Sequence, residues 1–257
     1  MTFADRLFER AADVDGVVFD FGGVISVSPV KDWPIYPYCA AKGVDRAAMD
    51  AGWKKYRYLW DGGFITFEEL YGRIFADAGC PPPDAATLAD LWELDSVGWI
   101  RVLRQDTLEL MRRLKAAGKK IGILSNMPPD FYEQLYLPHA AEYRALADAE
   151  VISGLVKMYK PAKPIYDLMV QRIGLPPERL LFLDDVPSNV EAARSYGWQS
   201  EVYPTEINAL GVSSAGRRKL PGFMKFSGRF SAKEAEAMRA FVNDADFSKV
   251  DEADSCK

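Results

Sequence analysis

Val17-Val18-Phe19-Asp20-Phe21-Gly22-Gly23 is an apolar run that stops on a carboxylate and then on two glycines. Two more runs end the same way: Ile121-Gly122-Ile123-Leu124 before Ser125-Asn126, and Leu180-Leu181-Phe182-Leu183 before Asp184-Asp185. Short continuous apolar runs bounded by polar residues read as strands of a parallel sheet buried on both faces. In open α/β sheets, ligands bind outside the carboxyl ends of the strands. The folded chain is therefore expected to gather Asp20, Ser125, Asn126, Asp184 and Asp185 on one rim. Three carboxylates there repel one another and call for a cation. Mg²⁺ is the first choice for an all-oxygen site that also holds a phosphate.

Outward from these runs, strands alternate with helices, which favours a doubly wound parallel sheet with helices on its faces. Thr107–Ala117 carries Leu110, Met111 and Leu114 on one face and stops at Gly118. Pro164–Ile173 carries Ile165, Leu168, Met169 and Ile173 and stops at Gly174. A third helix starts near Pro187 and ends near Gly197. Residues 29–104 have a different character, rich in Trp, Tyr and Ala and longer than an ordinary connection. Helices are expected there at Asp45–Trp60, Phe67–Ala78 and Ala85–Leu94. The division is then a core of 1–28 and 105–257, with an extension from about 205, and an inserted helical cap at 29–104. In the extension, 216–229 is basic, and Ser231–Asp244 reads as an amphipathic helix with Ser231 and Glu234 at capping-box spacing.

The chain has 257 residues, enough to bury a large core and carry an insertion. Its net charge of −5 gives no general attraction to nucleic acid or membranes. No apolar run approaches the roughly 18 residues of a membrane span, and 1–15 lack a signal-peptide core, so a cytoplasmic location is expected. Three scattered cysteines argue against a disulfide framework or zinc site. The single histidine, His139, makes His-based catalysis improbable and reads as a surface or loop residue.

At the rim, Asp20 sits where glycines permit a sharp turn and a close ligand approach, and aspartate can act as a nucleophile on phosphorus. Ser125 and Asn126 offer a hydroxyl and an amide to phosphate oxygens. Asp185, with Asp184 beside it, would hold the cation. A fixed positive charge is best supplied by Lys160, stiffened by Pro161 and followed by a helix; Lys157 and Lys163 read as solvated.

Together, Asp20-Phe21-Gly22-Gly23-Val24, Ser125-Asn126, Lys160-Pro161 and Asp184-Asp185-Val186-Pro187-Ser188-Asn189 resemble the ordered motifs of the haloacid dehalogenase superfamily, in the branch with a small helical cap after the first strand. Each motif is weak singly, and the four in order are strong. The resemblance covers Val14 to about Tyr203. More loosely, Trp60-Asp61-Gly62-Gly63-Phe64-Ile65-Thr66 looks like the cap turn of sugar-phosphate phosphatases in this branch. The resemblance implies Asp20 as nucleophile and metal ligand, Ser125 and Asn126 as phosphate binders, and Lys160 as the stabilising cation. It further implies Asp185 and the Gly22 carbonyl as metal ligands, Asp184 as a ligand or a supporting group behind the ligands, and Asn189 as a hydrogen-bonding support.

Gly22 departs from the pattern, because most phosphatases of the superfamily carry there a second aspartate that protonates the leaving group and activates water. General acid–base help of this kind is typically worth about 10²–10⁴-fold; Asp61 and Glu68 of the insertion are the nearest substitutes. Asp20-Phe21-Gly22 also spells the magnesium-loop tripeptide of protein kinases, but no glycine-rich loop or His-Arg-Asp segment precedes it. The expected function is a Mg²⁺-dependent phosphatase acting on a small phosphorylated metabolite through an aspartyl-phosphate. The alternative is a catalytically impaired relative that binds a phosphorylated ligand or protein partner. A phosphomutase or dehalogenase ranks lower, since dehalogenation has no use for the paired Asp184-Asp185.

Overall fold

The computed structural model describes residues 3–27 and 34–204. The basic stretch, the Ser231 helix and the rest of the extension from 205 lie outside the described residues.

Among these, five parallel strands form one sheet: β1 (Gly16–Phe19), β2 (Lys120–Ser125), β3 (Ala149–Ile152), β4 (Leu180–Asp184) and β5 (Gln199–Val202). Their order is β3-β2-β1-β4-β5, so the first strand lies at the centre. Val18 stands level with Gly122 on one side and Phe182 on the other. Side chains alternate between faces with period two. Val17, Phe19, Ile121, Ile123, Leu181 and Leu183 enter one core with Leu110, Met111 and Leu114 of helix Gln105–Ala116. Val18, Leu124, Leu180 and Phe182 enter a second core with Ile165, Tyr166, Met169 and Ile173 of helix Lys163–Ile173. Both faces are therefore covered, which is why the central strands read as unbroken apolar runs.

After β1 the chain moves outward through β2 and β3, then returns to the other side of β1 for β4 and β5. The winding reverses between β1 and β4, and a crevice opens outside the strand ends at such a point. Asp20 follows β1 and Asp184 ends β4, so both stand beside it.

The helices fall close to their expected positions. Gln105–Ala116 and Lys163–Ile173 begin slightly earlier than read, and Gly174 ends the latter in a left-handed conformation (φ 67°) that glycine adopts without strain. Pro187–Ser195 packs beside β5. The stretch between β1 and Gln105 is helical: Ile35–Ala40, Arg46–Asp61, Phe67–Asp77 and Ala85–Asp95. Asp45 and Asp84 each cap a helix start through a backbone N–H three residues on, and Thr66 with Glu69 forms a reciprocal capping box. These helices enclose a separate apolar cluster built on Met49, Leu59, Trp60, Leu70, Tyr71 and Ile74. No helix among the described residues is long and apolar enough to cross a membrane.

Candidate active site

Asp20 leaves β1 with its N–H bonded to the Leu183 carbonyl of β4 (2.9 Å), so the ladder itself sets its position. Its Oδ1 accepts the Phe21 N–H at 2.7 Å. The Lys160 ammonium lies 2.9 Å from Asp20 Oδ1 and 2.6 Å from Asp184 Oδ2, with its side chain wholly buried. Carboxylate oxygens of Asp20, Asp184 and Asp185 all lie within 4.8 Å of one another.

The two neighbouring aspartates differ in their surroundings. Asp184 is fully buried and saturated: Oδ1 accepts from the Val186 N–H (2.8 Å), Oδ2 from Lys160, and both from the Asn189 amide (3.2 and 3.0 Å). Such a carboxylate holds its neighbours in place and has little left to offer a ligand. Asp185 is only half-buried and lies against the backbone of Gly23.

Three acids around one lysine leave the centre with excess negative charge. Burial raises the Asp20 carboxyl above its ordinary range, Lys160 opposes the rise and Asp184 adds to it. Burial raises Asp185 well above its ordinary value, and the charges of Asp184 and Asp20 raise it further. For Lys160, burial works against the charge, but Asp184 and Asp20 more than reverse it and hold the ammonium above its usual range. A hard divalent cation would relieve this repulsion, and the all-oxygen donor set suits one.

Ser125, the last residue of β2, is buried at the same rim. The next side chain, Asn126, is committed largely to protein. Its Nδ2 donates to the Lys160 carbonyl (2.9 Å) and its Oδ1 accepts the Lys160 N–H (2.8 Å), leaving one amide hydrogen for anything else. Asn189 likewise spends its amide on Asp184. Gly22 is half-buried, and a Cβ built on it would stand 3.2 Å from Cζ3 of Trp99.

Of the substitutes for an acid, Asp61 is tied to Arg57 at 3.0 Å, and Glu68 is exposed on the first turn of its helix. Lys163 is exposed, as read. Lys157 is exposed but not merely solvated, because its ammonium donates to the Gly63 carbonyl and so touches the helical insertion. His139 is exposed, with Nδ1 against the Leu135 carbonyl at 2.8 Å.

Three participants lie outside the sequence reading. Ser153, after β3, donates to the Asp61 carbonyl at 2.5 Å and accepts the Met127 N–H at 2.8 Å. Asp130 accepts the Trp60 indole N–H (2.8 and 2.9 Å) and the Phe67 N–H (3.2 Å). These contacts seat the insertion on the strand-end loops. Trp99 is the third. A strand at Ala149–Ile152 could have exposed Ser153 as another rim residue; no local signal marks Asp130 or Trp99.

Residues 14–197 match the model of a hydrolase family described as haloacid dehalogenase-like hydrolase. An (S)-2-haloacid dehalogenase of Pseudomonas fluorescens is 33% identical over 93 residues, 36% of this chain and 40% of that protein. The match thus spans about two fifths of that relative's length. A sesquiterpene phosphatase of Aspergillus oryzae is 26% identical over 183 residues, 70% of this chain and 85% of that protein. Among solved structures, a HAD family enzyme of Bacteroides thetaiotaomicron in complex with magnesium and inorganic phosphate aligns with TM-score 0.59 and 17% identity, covering 76% of this chain and 97% of that one. At that identity the likeness is one of fold.

Proposed function

This chain belongs to the haloacid dehalogenase-like hydrolases, and from that premise we propose that it is a Mg²⁺-dependent phosphatase of small phosphate monoesters. The observation that carries the reading is the meeting of Asp20, Asp184 and Asp185 around the buried Lys160 at the strand ends. A carboxylate that displaces halide from a haloacid needs no such excess of negative charge beside it. A phosphoryl group, itself anionic, can approach this centre only when a cation neutralises it.

Asp20 and Asp185, with the Gly22 carbonyl, would hold the ion, which would supply charge neutralisation for the phosphoryl oxygens. Lys160 opposes the burial that raises the Asp20 carboxyl, aims it, and stabilises charge on the transferring group. An Asp20 carboxylate oxygen bonds to phosphorus while the bond from phosphorus to the ester oxygen breaks, and the leaving oxygen departs with the bonding pair and takes its proton from water. Water then attacks phosphorus, releases inorganic phosphate and regenerates the carboxylate. Ser125 and the remaining Asn126 hydrogen would bind phosphoryl oxygens. Asp184 and Asn189 hold Lys160 and the β4 loop in place. With Gly22 after the nucleophile, no side chain there gives the leaving oxygen a proton, so alcohols of low pKa are favoured.

The helical unit of 29–104 would act as a cap, excluding water during the first step and contacting the alcohol. Its own apolar cluster and its polar seats at Asp130 and Ser153 support that role.

The test is phosphate release from p-nitrophenyl phosphate with and without Mg²⁺, beside Asp20→Asn. Mg²⁺-dependent release lost in the variant is expected. Release that survives Asp20→Asn unchanged removes Asp20 from the chemistry. Chloride release from 2-chloropropionate, without metal, would move the chain to the dehalogenases. Gly22 favours a second reading, an impaired member that binds a phosphorylated ligand; binding of inorganic phosphate with no turnover of any ester would select it.

A further inference from the structure

The space that a side chain at position 22 would occupy is filled by Trp99. A Cβ there would lie 3.2, 3.7 and 4.0 Å from Cζ3, Cε3 and Cη2, so the six-membered edge of the indole covers Gly22. Trp99 ends the short turn Val97–Trp99, which carries the chain from the helical insertion back to the sheet. Its place is fixed through the backbone. The Val27 N–H bonds to the Val102 carbonyl and the Arg104 N–H to the Ile25 carbonyl, and Ser26 pairs with Leu103. The return segment is thereby zipped to the loop that follows Asp20. Trp99 also packs on the core beneath the sheet, yet both it and Gly22 stay half-buried, so their contact is reached by solvent. The indole N–H is buried without an acceptor among the described residues, so packing alone holds the ring.

The geometry points to Trp99 as the residue that selects the alcohol of the substrate. It sets a flat, non-ionisable surface beside the loop of the nucleophile, where a polar side chain at 22 would otherwise stand. An aromatic face gains by covering apolar area and offers nothing to a row of hydroxyls. The preferred substrates are phosphate monoesters of aryl or extended apolar alcohols rather than of sugars. This rests on the phosphatase reading and narrows it.

The test uses the full chain with 2-naphthyl phosphate, phenyl phosphate and glycerol 3-phosphate, and the variants Trp99→Ala and Trp99→Phe. Trp99→Ala is expected to lower kcat/KM for 2-naphthyl phosphate at least about tenfold, chiefly through KM, and to change glycerol 3-phosphate less than about threefold. Trp99→Phe should keep most of the naphthyl preference. An equal loss on all three esters, or none, overturns the inference. Binding in the Asp20→Asn background separates it from catalysis. There, adding Trp99→Ala should weaken 2-naphthyl phosphate by a similar factor and leave inorganic phosphate unaffected. If the parent protein turns over no ester, the phosphatase reading falls, and this binding difference alone decides for or against Trp99. The packing is checked by melting temperature: Gly22→Ala should cost more stability with Trp99 present than in the Trp99→Ala background, and equal costs would mean that the ring does not fill that space.

Discussion

Gly23 lies directly against Asp185: a methyl group on its Cα would stand 2.3 Å from Oδ2 of that carboxylate. Gly23 also has φ +72°, a conformation that costs any side-chain-bearing residue. Gly23→Ala must therefore push Asp185 away from Asp20 or rearrange the loop between them. We expect Mg²⁺ to raise the melting temperature of the parent protein, by preferential binding to the folded state, and to do so much less in the variant. Activity should fall at least about a hundredfold, as a misplaced group near the reacting atoms commonly costs. An undiminished thermal response to Mg²⁺ would show that Asp185 does not hold the ion.

Among the described residues, Lys160 is the one cation bonded to both Asp20 and Asp184, and its side chain is wholly buried. Lys160→Met keeps much of its volume but leaves two buried carboxylates without their partner. Removal of one member of a buried ion pair is expected to destabilise the fold by about 3–5 kcal/mol. Denaturant unfolding measures this, and added Mg²⁺ should recover part of the loss. A variant as stable as the parent would mean that the three charges are already balanced some other way.

Asp130 carries the seat of the helical unit, accepting from Trp60 and Phe67. Asp130→Ala leaves a largely buried indole N–H and a backbone N–H without acceptors, a cost of about 1–3 kcal/mol. The loss should be local. Hydrogen exchange is expected to rise across 59–68 and stay unchanged in β1, β2 and β4. Uniform acceleration throughout the chain would assign Asp130 to global stability instead.

Burial raises the Asp61 carboxyl to about 6, with Arg57 opposing the rise and Asp95 and Asp130 adding to it. Between about pH 4 and pH 6 the folded chain keeps a proton that the unfolded chain has released, so stability declines as pH rises through that window, by about 3 kcal/mol from this group. Asp61→Asn lacks this contribution. Its stability relative to the parent should therefore increase from about pH 4.5 to about pH 7 in denaturant titrations. A constant or falling difference would exclude Asp61 as a source of the decline.

The central sheet is legible in the sequence because β1, β2 and β4 are covered on both faces and tolerate little that is polar. The edge strands are not. Ala149–Ile152 is interrupted by Glu150, which pairs with Arg144, and Gln199–Val202 carries Glu201, which pairs with Arg6. Polar residues break the apolar run wherever one side of a strand meets solvent, and the periodicity with it. The same division runs through the site. Asp20, Ser125, Asp184 and Asp185 can be placed on one rim because strand ends converge. Asn126's commitment to Lys160 is invisible in a dipeptide. So is the meeting of Gly22 with Trp99, which depends on how the far end of the insertion pairs with residues 25–27.

Because Asn126 grips both the carbonyl and the N–H of Lys160, the ammonium is hung from the end of β2 rather than carried by the loop that precedes it. That loop meanwhile touches the helical unit through Lys157 and Gly154. Tyr159, the neighbour of Lys160, also meets the insertion, its ring 6.0 Å from that of Tyr58. One short run, 154–160, thus ties the footing of the upper unit to the buried charge, so a shift of that unit has a direct covalent route to the electrostatic centre.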